Sequence, residues 1–537
     1  SIRIMKINKF TSLFATCLLM GLTACSNDNV SDADSSNSAE NKDLTGKTSF
    51  SITSEAKTRT SGVYDGSGVD FYWTTNDNIW VNSGSATSPT LTASSSNNIT
   101  STTASAKFYF DGTYTAESYP VRYTGNANTS GNTVTIATSQ NQDEANNATQ
   151  LGTVGDCGVG TATRKTDGSY EFTLSHKASY ITFMPYYSKE ALDASAVVTQ
   201  INVTAANGES LAGTFNFSDS GLGTANSSSN SVTLTLNGTS STTGFPIPTT
   251  ATASKNAAIM VVAPGTYSTF KVTYTLYDSV TGTESTISYT YRNIKCNAGK
   301  NQKISTDLGM ATYTSCKSNY YMWDAKKNYW DGFASSQPLL NNAANTNYAK
   351  SSADSRWYNT AFTHNVQTKA INSCKDAPTF EALTWYIGGG SPCLDNKTLW
   401  VFANHLYAGG IWLKKQSKIS GFSSAMNYQS TFTWNLGLDI PFSVDISGKP
   451  KASVRSDYFY LPALGKYTDG KLTGLGVSGY YWASTPNPVN NGDRNAGYGK
   501  VISANCLRFT IDESNMDNVY VRSYYERYVG MQVQKFE

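Results

Sequence analysis

From about residue 49 to residue 310, apolar side chains recur at every second position in short runs, and no helical period competes with them. "TSFSITS" places Phe50 and Ile52 on one face. "VDFYWTTNDNIWVN" alternates Val69, Phe71 and Trp73, breaks at a polar turn, and resumes at Ile79 and Val81. The pattern returns in "NTVTIATS", "YEFTLSH", "ASYITFMPYY", "TQINVTAA", "SVTLTLNG", "AAIMVVAPGTY" and "STFKVTYTLYD". A period of two marks a strand with one buried face. Many such strands with turn residues at close intervals imply β-sandwiches. The length suits two, over 49–188 and 189–310.

From 311 to 537 the texture changes. Tryptophan becomes frequent, at Trp323, Trp330, Trp357, Trp385, Trp400, Trp412, Trp434 and Trp482. Core packing is the plain account of most of them. "CKDAPTFEALTWYIGGG" predicts a helix, with Pro378 at its start, Phe380, Leu383 and Ile387 on one face, and Gly388, Gly389 and Gly390 as its stop. Strands return in "DYFYLPALG", "GYYWAST", "CLRFTID" and "NVYVRSYY". The expectation is an α+β domain with aromatic-rich connections, at the end of a mainly β chain.

Residues 1–24 read as an export signal. Lys6 and Lys9 follow Met5, the expected true start, and the apolar run through Leu18, Leu19 and Met20 is shorter than the roughly 20 residues of a membrane span. Leu22-Thr23-Ala24-Cys25 resembles the bacterial lipoprotein signal, which implies cleavage before Cys25 and acylation there. Each buried acyl methylene would add ~0.8 kcal/mol of membrane affinity. Residues 25–48 carry almost no large apolar side chains and are expected to be a flexible tether. Ser26-Asn27-Asp28-Asn29 resembles the polar signal that sends Bacteroidales lipoproteins to the cell surface.

The net charge of +2, with 15% charged residues and no basic run, argues against nucleic acid as a partner. Six cysteines lie beyond Cys25, and none forms Cys-x-x-Cys. Six cysteines allow 15 pairings, which sequence cannot choose among. Cys374 and Cys393, which bracket the predicted helix, are expected to lie close together.

The first half resembles the fimbrillin family, the type V pilus proteins of Bacteroidales. The carriers are the lipoprotein signal, "SFSITSEAKTRTS", "WTTNDNIWV" and "LSHKASYITFMP". The resemblance implies two transthyretin-like β-sandwiches, a strand preceding a basic cleavage site at Arg59, a Trp73–Asp77–Ile79 segment, and His176 opening a later strand. Cleavage at Arg59 would free the strand around Phe50. The groove left behind, with unpaired amides and an uncovered apolar row, would be filled by a strand of another pilin subunit. The alternative for Arg59 is an ordinary solvated loop arginine. The second half looks like the C-type-lectin-like fold, carried by "YFYLPALGKY", "GYYWASTP", "CLRFTID" and "NVYVRSYYERYVGMQVQKF". The segment from Met531 to Phe536 reads as an integral strand rather than a donor segment, which favours a terminal over a shaft subunit.

Gly474-Leu475-Gly476-Val477-Ser478-Gly479 matches Gly-x-Gly-x-x-Gly, but a strand follows it where a dinucleotide site needs a helix. His176, His364 and His405 are isolated, so no metal site and no cofactor is expected. The loop "STPNPVNNGDRNAGYG" offers oxygen ligands at Asn487, Asn490, Asn491 and Asp493, with flat faces at Tyr480, Trp482 and Tyr498. These residues form the candidate ligand surface. The Trp-Asn-Asp that calcium-dependent lectins carry is absent, and turn chemistry is the alternative.

The leading expectation is a non-enzymatic pilus tip or accessory subunit at the cell surface, held in the outer membrane by its lipid, with an adhesive lectin-like domain. The alternative is a pilus-independent surface lipoprotein that binds a glycan or a host protein. An enzyme would need a reactive cysteine pair or a metal site in the second half, and Cys316 and Cys506 are the candidate cysteines.

Overall fold

The computed structural model describes residues 44–52, 61–66, 68–126, 129–238, 243–363, 366–428, 440–488, 502–511 and 518–537. Described residues from Gly46 onward belong to one compact unit, distinct from Ser1–Thr45. The chain is mainly β, as the alternation predicts.

The first sheet has nine strands. Its path runs 91–93, 80–82, 118–123, 158–164, 170–171, 47–52, 106–111 and 96–97, with 175–176 beside 158–164. Trp73 packs edge-on against Phe108 at 5.1 Å and Tyr123 at 5.5 Å, and the strands of those two residues stand four places apart on the path, so the sheet curls around its own core.

A second core is enclosed by three sheets. The largest orders 139–142, 231–236, 196–205, 265–278 and 283–296. Strand 179–186 lies between 258–262 and 301–307 in another, and 133–136 joins 212–218 and 221–229 in the third. This arrangement corrects the expected boundary at residue 188. Strands 133–136, 139–142 and 179–186 precede that point yet pair with strands beyond it. Period-two alternation marks a strand but says nothing of its neighbour.

The third region is α+β. Four strands (311–312, 393–402, 405–414, 458–462) form one sheet. An eight-stranded sheet holds 478–486 at its centre, between 531–532 and 503–510. The helix spans Phe380–Gly388, with Thr379 as N-cap accepting from the Ala382 amide at 3.1 Å. Phe380, Leu383 and Ile387 are buried, as predicted. Trp323, Trp330, Trp400 and Trp482 are core residues. The hairpin 393–402/405–414 faces two ways. Leu399, Val401 and Leu406 belong to the second region's core, and the carboxylate of buried Asp278 meets His405 Nδ1 and the Leu406 amide, each at 3.0 Å.

In the same hairpin, the register shifts between Asp395 and Leu399. Asp395 fills that irregularity, accepting from the amides of Lys397 and Thr398 at 2.9 and 3.0 Å, from Trp412 Nε1 at 2.9 Å, and from the Thr398 hydroxyl. Burial alone would raise its pKa, but the hydrogen bonds from Thr398, Trp412 and the two amides outweigh burial and hold it below the usual carboxylate range. A depressed carboxyl contributes stability that is full above its unfolded value, about pH 4, and is lost as pH falls through the folded value. Asp395→Asn is therefore expected to cost about 1–3 kcal/mol at neutral pH and to flatten the acid limb of stability, read from urea unfolding between about pH 3 and pH 7.

Candidate functional site

The segment Lys47–Ile52 alternates polar and apolar residues, and the fold uses that alternation to bury Phe50 and Ile52 completely. The strand lies inside the sheet, not at its edge. On one side it runs antiparallel to 106–111 along its full length, with Lys47 opposite Asp111, Phe50 opposite Phe108 and Ile52 opposite Ala106. On the other it runs parallel to 170–171, and the Phe172 amide donates to the Ser51 carbonyl at 3.0 Å. Phe50 sits in an aromatic box. Its ring stacks on Tyr170 at 4.5 Å and meets Phe110 and Tyr114 edge-on at 4.9 and 5.4 Å.

Magnitudes identify what holds the strand. Lys47 pairs with Asp111 at 2.9 Å, but that carboxylate is largely exposed, and such a pair contributes at most about 1 kcal/mol. Removing a buried phenylalanine costs about 3–5 kcal/mol. Apolar contact and two ladders of backbone hydrogen bonds therefore seat the strand. Removing it would expose donors and acceptors on both neighbours. The next described strand begins at Ser61 and pairs with 69–72. Arg59 in the connection 53–60, Cys25 and His364 all lie outside the described residues.

The other quoted motifs build structure. Trp73 and Asp77 are buried, and Asp77 closes a turn by accepting from the Thr74 amide at 2.6 Å and from the Tyr123 hydroxyl at 2.9 Å. His176 Nδ1 meets the buried Asp156 carboxylate at 2.8 Å, and its ring stacks on Phe71 at 4.1 Å. Burial, followed by the adjacent Asp156, pushes the Tyr180 hydroxyl well above its ordinary value.

The candidate ligand surface needs correction. Tyr480 is buried against Tyr525, and Trp482 is buried with Nε1 donating to the Tyr321 carbonyl at 2.8 Å. Asn487 is fully buried and donates to Ser503 Oγ at 3.1 Å. None of the three offers a face or an oxygen to an outside ligand, because strand 478–486 is covered on both faces. Asn490, Asn491, Asp493 and Tyr498 lie outside the described residues. Among the described residues, Cys157, Cys296, Cys316, Cys374, Cys393 and Cys506 form no disulfide with one another. Cys374 is in a core cluster with Trp323, and Cys393 stands opposite Trp412. Burial raises the Cys316 thiol and pushes Cys374 up to about 12, and Cys506 is buried, which leaves these thiols poorly suited to nucleophilic work.

One cleft in the third region was not singled out by the sequence reading. It encloses about 240 Å3 among Tyr329, Tyr348, Trp357 and Tyr528, with Lys350 and Asp469 also lining it. The available signals were the aromatic density of 320–358 and the Asp469-Gly470 pair, a two-residue hairpin turn.

No protein-family model matches the chain, and no curated protein matches it. Among solved structures, a candidate cell adhesion protein from Bacteroides uniformis aligns at 14% identity over 49% of this chain and 94% of its own, with a TM-score of 0.28. A second candidate cell adhesion protein, from Bacteroides fragilis, aligns at 12% identity over 48% of this chain and 92% of its own, with a TM-score of 0.25. A fimbrial protein from Bacteroides ovatus aligns at 12% identity over 52% of each chain, with a TM-score of 0.22. At such scores the function has to be read from the residues of this chain.

Phe50→Ala is expected to lower the stability of the first sheet by about 3–5 kcal/mol, while Lys47→Ala costs less than about 1 kcal/mol. Hydrogen exchange of the 106–111 amides in urea measures both. Equal effects would contradict an apolar seat.

Proposed function

We propose that this chain is a non-enzymatic fimbrial subunit of the cell surface, built into a pilus by strand exchange, with residues 311–537 as its adhesive head. The observation that carries the reading is the seat of Lys47–Ile52, a short interior strand held by one aromatic anchor and two backbone ladders. In this reading Cys25 carries the lipid that anchors the chain in the outer membrane, and a protease cuts after Arg59. The first strand then leaves with the anchor, and a strand from another pilin takes its place between 106–111 and 170–171. Strand 531–532 pairs with 320–321 and 478–486, so it is committed to the head's own sheet, which suits a tip or accessory position. The first two regions are assigned to transthyretin-like sandwiches and the head to a C-type-lectin-like fold.

A pilus-independent surface lipoprotein is the second reading. It draws support from the complete pairing of Lys47–Ile52 within its own chain, which needs no partner to close the sheet.

N-terminal sequencing of the mature protein from cells separates the two. The subunit reading expects a start at Thr60 and low copy number in purified pili. A blocked acyl-cysteine with no pilin partner would support the second reading. Recovery as the repeating shaft component would overturn the tip assignment.

A further inference from the structure

The strands 464–468 and 471–475 form a hairpin closed by Asp469 and Gly470. Both residues have positive φ, 49° and 76°, the conformation that an Asp-Gly pair adopts in a two-residue turn. A Cβ on Gly470 would lie 2.0 Å from the Asn345 carbonyl oxygen and 2.6 Å from Tyr348 Cδ1. Glycine alone lets the turn press beneath the loop that carries Tyr348, and this brings Asp469 to the cleft. The Gly470 amide donates to the Tyr329 hydroxyl at 3.1 Å, and the Tyr329 ring lies nearly parallel to Tyr348, at 6.4 Å and 14°.

The opposite wall is fixed by Arg356, only 6% exposed. Its guanidinium forks onto Asp354, donates to the Asn347 carbonyl at 2.7 Å and covers the Phe333 ring. It thereby ties together the loop bearing both Tyr348 and Trp357. Met322 and Ala349, both buried, complete the apolar lining.

The walls are built, yet the polar tips are unspent. Among the described residues, no protein group bonds to the hydroxyls of Tyr348 and Tyr528 or to the Trp357 indole nitrogen, and neither Lys350 nor Asp469 is in an ion pair. Tyr348, Trp357 and Tyr528 are half-buried and Lys350 and Asp469 exposed, so these groups are open to whatever enters the cleft. Here flat faces and unused donors and acceptors converge on one volume.

From this geometry we infer that the cleft binds a single neutral pyranose ring, without calcium. A sugar ring has an apolar C–H face, which suits electron-rich aromatic faces, and hydroxyls that both donate and accept. Lys350 supplies donors and Asp469 acceptors. An organic cation would also suit an aromatic cage, but the Lys350 ammonium already lies 5.3 Å from the Tyr348 ring and would repel it. An anion would meet Asp469. The volume of about 240 Å3 falls below the roughly 300–1,000 Å3 of pockets for larger ligands, so one ring enters. As the contact site of an adhesive head, the cleft rests on the subunit reading, but its binding does not need a pilus.

Saturation-transfer NMR on the full chain tests it, with EDTA present. The probes are the methyl glycosides of glucose, galactose, mannose and N-acetylglucosamine, with tetramethylammonium as the rival. At least one glycoside is expected to receive saturation on its ring protons. Trp357→Ala abolishes the signal, and Asp469→Asn weakens binding about tenfold. Asparagine tolerates positive φ, so the second variant carries the test if the first misfolds. Binding of none of the glycosides, binding of tetramethylammonium alone, or glycoside binding that neither variant changes would overturn the inference. Those outcomes leave incorporation into pili untouched, and a start at Cys25 in cells leaves glycoside binding untouched.

Discussion

The structure depends first on Phe50 and its aromatic box. A strand of six residues cannot hold its place through surface charge, and Lys47–Asp111 contributes little. Phe50 against Tyr170, Phe110 and Tyr114 supplies the dominant apolar contact, and the neighbouring strands supply the hydrogen bonds. This seat closes the interior of a nine-stranded sheet. In the proposed assembly, the same chemistry that holds the chain's own strand would accept a foreign one. Another strand needs only an aromatic or large aliphatic side chain at the Phe50 position and a backbone to pair.

Strand positions were legible in the sequence because alternation is a local property. Phe50 and Ile52, then Val69, Phe71 and Trp73, face inward as their spacing required. The helix was legible for the same reason, from Pro378 at its start, the spacing of Phe380, Leu383 and Ile387, and glycines at its end, whereas its N-cap Thr379 emerged only from the structure. Strand partners were not. Strand 179–186 pairs with 301–307, more than 100 residues on, and nothing in either run names the other. The boundary at 188 failed on that account. A strand buried on both faces also erases the alternation that would reveal its orientation, and 179–186 and 478–486 are both of this kind.

The sites were legible to a smaller extent. Tyr480 and Trp482 were read as exposed faces because aromatic residues next to an Asn-rich loop suggest a binding surface. Their strand is central instead, so both rings pack inward. The cleft escaped notice because its residues come from 322–357, from a hairpin turn at 469 and from 528, which only the folded sheet brings together. The rigidity of that cleft follows from Arg356 and Gly470, whose roles appear only once their neighbours are placed.

The most direct measurement concerns the vacated groove. Protein beginning at Thr60 would be mixed with a peptide spanning residues 47–52, and with the same peptide carrying Phe50→Ala, while hydrogen exchange is followed at 106–111 and 170–172. Exchangeable seating predicts fast exchange in the shortened chain, protection restored by the first peptide, and little restored by the second. Full protection without any peptide, or equal protection by both peptides, would contradict it.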